Sequence, residues 1–182
     1  LISLLIGTIM GLIISSILWW NDYIAKIFDP YLTIFNSLPK VALGPIIIII
    51  AGANQKSIII MALLISVIIT IINMYQSFIL TDENKIKLLK SFKATKFQIY
   101  KYLILPNSFS NIISTIKINI SMSLIGVIMG EFLVSKEGIG YLIMYGSQVF
   151  NLDLVMTGII ILAIVATIMY YMINYIEKKI IK

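Results

Sequence analysis

The 182 residues are 60% hydrophobic and 12% charged, with a mean hydropathy of +1.03, which excludes a soluble domain. The net charge of +6 comes from lysines gathered in one loop and at the tail; that pattern orients a membrane protein and does not make a nucleic-acid surface. Cysteine and histidine are both absent, so disulfides, thiol nucleophiles, histidine bases and the usual zinc sites are excluded as well.

Residues 1–20 form the first apolar run. Twenty residues of helix rise about 30 Å, enough for the hydrocarbon core. Leu1 already lies inside this run, so the sequence is expected to lack a preceding segment. Trp19, Trp20 and Tyr23 mark an interface. Gly7-x-x-x-Gly11 either admits another helix at close range or is ordinary glycine in a membrane helix. Residues 21–40 are mixed, with Asp22, Lys26, Asp29-Pro30 and Leu38-Pro39, and are expected to turn on the cytoplasmic side. The uncharged stretch 41–55 holds Gly44, Pro45 and Gly52 and is short for a complete span. A helix over 31–52, broken near Pro39 and Pro45, resolves this. Two readings stand for the break: it shapes a cavity at membrane depth, or it is a tilted span with a proline kink. Residues 57–76 are the next span, with Asn73 expected to bond either a neighbouring helix or a solute.

Residues 81–106 interrupt the apolar pattern. Six lysines fall between Lys85 and Lys101, which places the loop on the cytoplasmic side. Thr81 is the expected N-cap of a first short helix, with Asp82 and Glu83 near its positive end. Leu88, Leu89 and Phe92 gather on one face of that helix, an arc of about 100° on a 3.6-residue turn. They serve either an interfacial helix on the membrane surface or a helix docking a partner. Thr95-Lys96-Phe97-Gln98 has the form of a capping box, so a second helix starts there, and Pro106 ends or kinks it.

Residues 108–130 make the most polar span. It includes Ser114, Thr115, Lys117, Asn119, Ser121 and Ser123. Lys117 is the one ionisable residue within a span, and it either snorkels toward the interface or faces a cavity. Gly126-x-x-x-Gly130 would allow close helix approach, and a path between two copies of the chain is the place suggested for it. Residues 131–153 form the outer loop, with three acids against one lysine; a turn at 135–140 leads into a short amphiphilic helix. Residues 154–176 are the last span, closed on the inside by Tyr170, Tyr171, Tyr175, Lys178, Lys179 and Lys182. The expectation is an all-α, polytopic membrane protein with five transmembrane helices, a single domain over 1–182.

No paired carboxylates, metal cluster, phosphate-cradling loop or nucleophile–base pair is visible, so the chain reads as a conduit and not an enzyme. Counted back from Pro106, the lysine loop resembles the cytoplasmic motif of ABC importer permeases, E-A-A-x3-G-x9-I-x-L-P. Leu105-Pro106 stand at its L-P, Leu103 at its Ile, Lys87, Leu88 and Leu89 at its E-A-A, and Lys93 at its Gly. Ser37-Leu38-Pro39-Lys40-Val41-Ala42-Leu43-Gly44-Pro45 is similar to a proline-rich segment of the nitrate/sulfonate/taurine-type permeases. Gly130-Glu131-Phe132 and Glu137-Gly138-Ile139-Gly140-Tyr141-Leu142-Ile143 are similar to their acidic residue and G-L-G-Y-L-I-like segment. These blocks, in the family's order, span roughly residues 1–178, and members usually carry about one more span upstream.

The resemblance implies a multi-pass cell-membrane subunit of an importer of the first structural type. It would pair with a second permease copy, receive solute from an extracytoplasmic binding protein, and dock ABC ATPase subunits. The docking residues implied are Lys87, Leu88, Leu89, Phe92, Lys93, Ala94, Phe97, Tyr100 and Pro106, within 81–106 as the coupling loop. ATP would be bound and hydrolysed by the partner, so the chain itself needs no cofactor and no metal. Candidate path residues are Pro39, Pro45, Lys117, Ser121, Ser123 and Glu131. The cargo implied is a small anion such as nitrate, a sulfonate or taurine, or a thiamine-precursor pyrimidine or flavin. Alternatives are a methionine-type permease, a membrane enzyme or assembly factor, and a secondary transporter; the last would show inverted repeats and acids within spans, which the sequence lacks.

Overall fold

The computed structural model describes residues 2–180, entirely helices and short connections. Leu1 and Lys182, the latter expected to help close the last span, lie outside the described residues. The helices are α1 (Ile2–Trp20), α2 (Asp22–Ser37), α3 (Gly44–Ala51), α4 (Gln55–Ile79), α5 (Glu83–Ser91), α6 (Lys96–Ile99), α7 (Leu105–Asn107), α8 (Phe109–Val134), α9 (Ile139–Gln148) and α10 (Leu152–Ile180). A 3-10 turn (Lys40–Leu43) precedes α3, and a π-helical segment (Tyr100–Ile104) joins α6 to α7. Helices α1, α4, α8 and α10 are each long and apolar enough to cross a bilayer. Helix α2 with the turn and α3, bent by 86°, passes the same test as a pair, with the shape of a broken span or a re-entrant loop; counted as one span it brings the number of crossings to five.

The bend has a local cause. Leu38 precedes Pro39 and is extended (φ −65°, ψ 138°), the conformation a following proline imposes. Pro45 then occupies the first turn of α3, where its missing N–H costs no hydrogen bond. The broken span was expected, but its start was not. Helix α2 begins at Asp22, so the turn after α1 is the single residue Asn21, whose Oδ1 accepts from the N–H groups of Tyr23 and Ile24.

Helix α4 is the centre, gripped on two sides by glycines. A Cβ on Gly7 would lie 2.5 Å from Ser66 Oγ, and one on Gly11 would lie 2.3 Å from Thr70 Cγ2, so α1 runs parallel to α4 at close range. On the other side a Cβ on Gly126 would stand 2.4 Å from Ala62 Cα, and one on Gly130 would stand 2.9 Å from Ile58 Cα, which sets α8 antiparallel to α4. The second glycine pair therefore seals a contact within the chain, and its expected place between two copies is corrected. Small residues are what permit backbones to meet this closely in lipid, where apolar burial alone drives nothing together.

At the crossing of these three helices lies a hydrogen-bonded knot. Buried Asn119 of α8 donates from Nδ2 to Thr8 (3.1 Å) and Thr70 (2.7 Å), and Thr70 Oγ1 also reaches the Ser66 carbonyl (2.7 Å). Asn73, the amide expected to seek a partner helix, makes no side-chain hydrogen bond among the described residues; Asn119 takes that role. Helix α9 packs in the angle between α8 and α10, with Ile143 against Gly158.

Candidate functional site

The lysine-rich end of the bundle is built on a buried apolar cluster of Met74, Phe78, Ile99 and Ile104. Phe78 and Ile104 are fully buried, which ties the last turns of α4 to the α6–α7 segment. Tyr100 inserts beside Trp19 (ring centroids 5.3 Å) and Phe78 (5.8 Å), and its hydroxyl shares a hydrogen bond with Ser16 of α1. Lys96 Nζ donates to the Trp20 carbonyl (2.7 Å) and stands 5.4 Å from the Trp19 ring. The tryptophans expected to mark an interface thus also clamp the loop to α1.

Local chemistry shapes the loop in two places. The Thr95–Gln98 capping box forms in both directions: Thr95 Oγ1 accepts from the Gln98 N–H, and Gln98 Oε1 accepts from the Thr95 N–H. The other cap differs from expectation. Asp82, not Thr81, caps α5 by accepting from the Asn84 N–H, because Thr81 is buried against the end of α4. Helix α5 ends in a Schellman motif: the Ala94 N–H reaches the Leu89 carbonyl and the Lys93 N–H reaches that of Lys90. Its left-handed residue is Lys93 (φ 59°), the position at which the importer motif has glycine. Beyond it, the wide π turn places the Leu105 N–H on the Tyr100 carbonyl immediately before Pro106, whose ring would clash with a carbonyl four residues back.

This geometry sorts the expected docking residues. Leu88 (56% exposed), Phe92 (74%) and Phe97 (59%) are exposed among Lys85, Lys87, Lys90 and Lys93, Phe97 with its ring 6.5 Å from that of Trp20. Leu88 and Phe92 share one face of α5, four residues apart. Leu89, Ala94 and Tyr100 turn the other way and pack on the buried cluster, so the expected patch of Leu88, Leu89 and Phe92 is corrected: Leu89 is an anchor, and Phe97 takes its place outside. Lys87 pairs with Glu83 at 3.2 Å, and Pro106 is exposed at the far end.

The expected path residues do not converge. Pro39 and Pro45 are exposed at the α2–α3 bend. Lys117 is paired, not a lone charge. It pairs with Glu177 Oε2 (2.5 Å) and Asn174 Oδ1 (3.2 Å) of α10, over the Tyr170 ring. Ser123 is buried on the face that α8 turns to α4. Glu131 lies across the start of α9: its Oε2 accepts from the Gly140 N–H (2.6 Å), and Gly138 (φ 108°) leaves room for the carboxylate where a Cβ would fall 2.5 Å from it. Glu131 is thus the cap of α9. Only Ser121 remains open on a helix face. The sequence missed Glu177 as the partner of Lys117, 60 residues away, and missed Asn119; the latter was signalled by the small and polar series Thr115, Asn119, Ser123, Gly126, Gly130 at helical spacing.

Residues 3–182 match the family model for the binding-protein-dependent transport system inner membrane component. A relative described as a probable ABC transporter permease protein of Haemophilus influenzae is 26% identical over 99% of this chain and 74% of its own length. The formylaminopyrimidine transport permease protein of Halalkalibacterium halodurans is 26% identical over 77% of this chain and 56% of its own. The chain thus spans little more than half the length of that relative. A solved structure of the MetNI methionine ABC transporter in an inward-facing conformation superposes with a TM-score of 0.75 at 18% identity, over 98% of this chain and 88% of the other. The overall fold is therefore shared with that structure, and by the match over nearly its whole length the chain belongs to the family of binding-protein-dependent transport inner membrane components, the permeases of ABC transporters.

Proposed function

We infer that this chain is the membrane-spanning subunit of an ATP-driven importer, and that its lysine loop docks a cytoplasmic ATPase. The observation that carries the reading is the two-sided loop: Leu89, Ala94 and Tyr100 are fixed to the ends of α1 and α4, while Leu88, Phe92 and Phe97 are held out toward solvent. Exposed aromatic and leucine side chains on a firm base are typical anchors for a groove on a partner, and surrounding lysines steer an acidic rim toward them. ATP is bound and hydrolysed by that partner. A closing motion of two ATPases moves the loop, and the loop is continuous with α8 through the π turn, so the motion reaches the membrane. A second copy completes the path, and an extracytoplasmic binding protein delivers a small solute to the end carrying α9.

The test is co-purification. Leu88→Asp with Phe92→Asp is expected to abolish recovery of the ATPase with the membrane subunit, whereas Leu89→Asp is expected to lower the yield of folded protein. Undiminished recovery with the first pair would refute the docking role.

A further inference from the structure

Among the described residues, most polar side chains of the spans are turned inward or bonded locally. One group is not. On α8, Asn111, Ser114, Ile118, Ser121 and Ile125 are exposed at spacings of three and four, a single stripe up one face. On α4, Gln76 is exposed beside partly exposed Asn73. Between the two helices lies an open groove of about 250 Å³, its polar lining Asn73, Gln76, Ser77, Asn111, Ser114 and Thr115 set between the apolar side chains of Leu80 and Ile118. Asn111 Nδ2 donates to Ser77 Oγ (2.9 Å), which fixes its amide and leaves the carbonyl oxygen free. Asn73 and Gln76 make no side-chain hydrogen bond among the described residues. Bare amides against lipid tails are unfavourable, so a face of this kind belongs against water or protein.

The groove also lacks a counter-charge. Lys117 is next to the stripe in sequence but is held by Glu177 and Asn174 on α10. Lys40, at the α2–α3 bend, donates to Asn36. The hydroxyls of Ser114 and Thr115 already donate to the Ser110 and Asn111 carbonyls, so the groove presents apolar Leu80 and Ile118 with the amides of Asn73 and Gln76, which both give and accept hydrogen bonds, and the accepting oxygen of Asn111.

We propose that this α4–α8 stripe is the wall of the inner half of the translocation path, and that it recognises an uncharged solute with hydrogen-bonding ring edges, of the aminopyrimidine class, in preference to an alkanesulfonate or another small anion. The proposal rests on the importer reading and adds the wall and the solute class to it. An anion entering this groove would lose water without meeting a cation, whereas amides match the alternating donors and acceptors of an aminopyrimidine edge.

The chain has no cysteine, so single cysteines report without a background. In inside-out membrane vesicles holding the assembled transporter, Ser114→Cys and Ser121→Cys are expected to react with a membrane-impermeant thiol reagent, while Ile160→Cys and Ile164→Cys on the outer face of α10 stay unreacted. An aminopyrimidine is expected to slow the Ser114→Cys reaction, and an alkanesulfonate of similar size to leave it unchanged. Gln76→Leu and Asn73→Leu are each expected to lower aminopyrimidine uptake about tenfold, the loss of a hydrogen bond or so in a site sheltered from water. Three results would overturn the proposal: no reaction at Ser114→Cys or Ser121→Cys, cross-linking between copies in place of labelling, or protection by the sulfonate alone. Co-purification of the ATPase, measured on the same vesicles, separates these from failure of the importer reading: its retention means that only the path assignment is wrong.

Discussion

Consider alanine at Gly126. Its Cβ would stand 2.4 Å from Ala62 Cα and 2.9 Å from Ala62 N, both backbone atoms of α4. Ordinary carbon contacts lie at about 3.5–4.0 Å, so no rotamer change relieves the overlap and the two helices must part by on the order of 1 Å. Such overpacking costs about 1–3 kcal/mol, and a gap of this size forfeits roughly a quarter to a half of the attraction of each atom pair along the seam. Alanine recovers about 1 kcal/mol in helix propensity over glycine. The net expectation is a loss of about 1–2 kcal/mol. Gly7→Ala is the control. Its Cβ meets Ser66 Oγ at 2.5 Å, but the next atoms are at 3.5 and 3.7 Å, and the hydroxyl can rotate away from its weak 3.4 Å bond to the Leu63 carbonyl. There the propensity gain offsets the clash and the change stays within about 0.5 kcal/mol of zero. The assay is reversible unfolding of the purified protein in mixed micelles with increasing denaturing detergent, followed by circular dichroism. Equal midpoints for the two variants, or a more stable Gly126→Ala, would refute the argument from the backbone contact.

Four further expectations follow from the same geometry. Lys93→Gly relieves a left-handed lysine at the end of α5 and is expected to stabilise that helix by about 0.5–1 kcal/mol, read as slower amide exchange over residues 83–94. Asn119→Leu removes the side-chain partner of Thr8, leaves Thr70 only its bond to the Ser66 carbonyl, and is expected to cost about 2 kcal/mol in the micelle assay, far more than Asn84→Leu at the exposed start of α5. Lys117→Met and Glu177→Met are each expected to destabilise, and the double variant to recover most of the loss; strictly additive effects would deny the pairing. Glu131→Ala removes the cap of α9 and is expected to speed amide exchange in residues 139–143, with Glu131→Gln, which keeps an acceptor, in between.

Much of this architecture was legible where backbone chemistry is local. The Thr95–Gln98 box, the break before Pro39 and the close-approach chemistry of the glycine pairs, though not which helix the second pair meets, are short patterns whose physics does not depend on distant residues. The losses came where a second element decides. A helical wheel places Leu88, Leu89 and Phe92 together, yet an arc of that width straddles the boundary between anchor and surface, and only the position of Phe78 and Ile104 splits Leu88 from Leu89. Thr81 has the chemistry of a cap, but the end of α4 buries it and leaves the role to Asp82. Lys117 reads as a lone charge because Glu177 is remote along the chain. Lys93 is instructive in a different way: as a departure from the importer motif it weakens the resemblance, but its positive φ shows that the chain keeps the turn and gives up only the residue that makes it easy.

The two-sided grip on α4 has a mechanical meaning. Turning that helix by one residue, about 100°, would drive isoleucine side chains into seams that Gly11, Gly126 and Gly130 keep too tight for them. The trio α1, α4 and α8 is therefore a strut that can tilt but cannot twist internally. Helix α8 alone is about 39 Å long at 1.5 Å per residue, so one unbroken element joins the lysine end to the far rim. The compliance of the subunit is left to its joints: the Leu38–Pro39 bend, Gly52, and the Ser135–Gly138 turn.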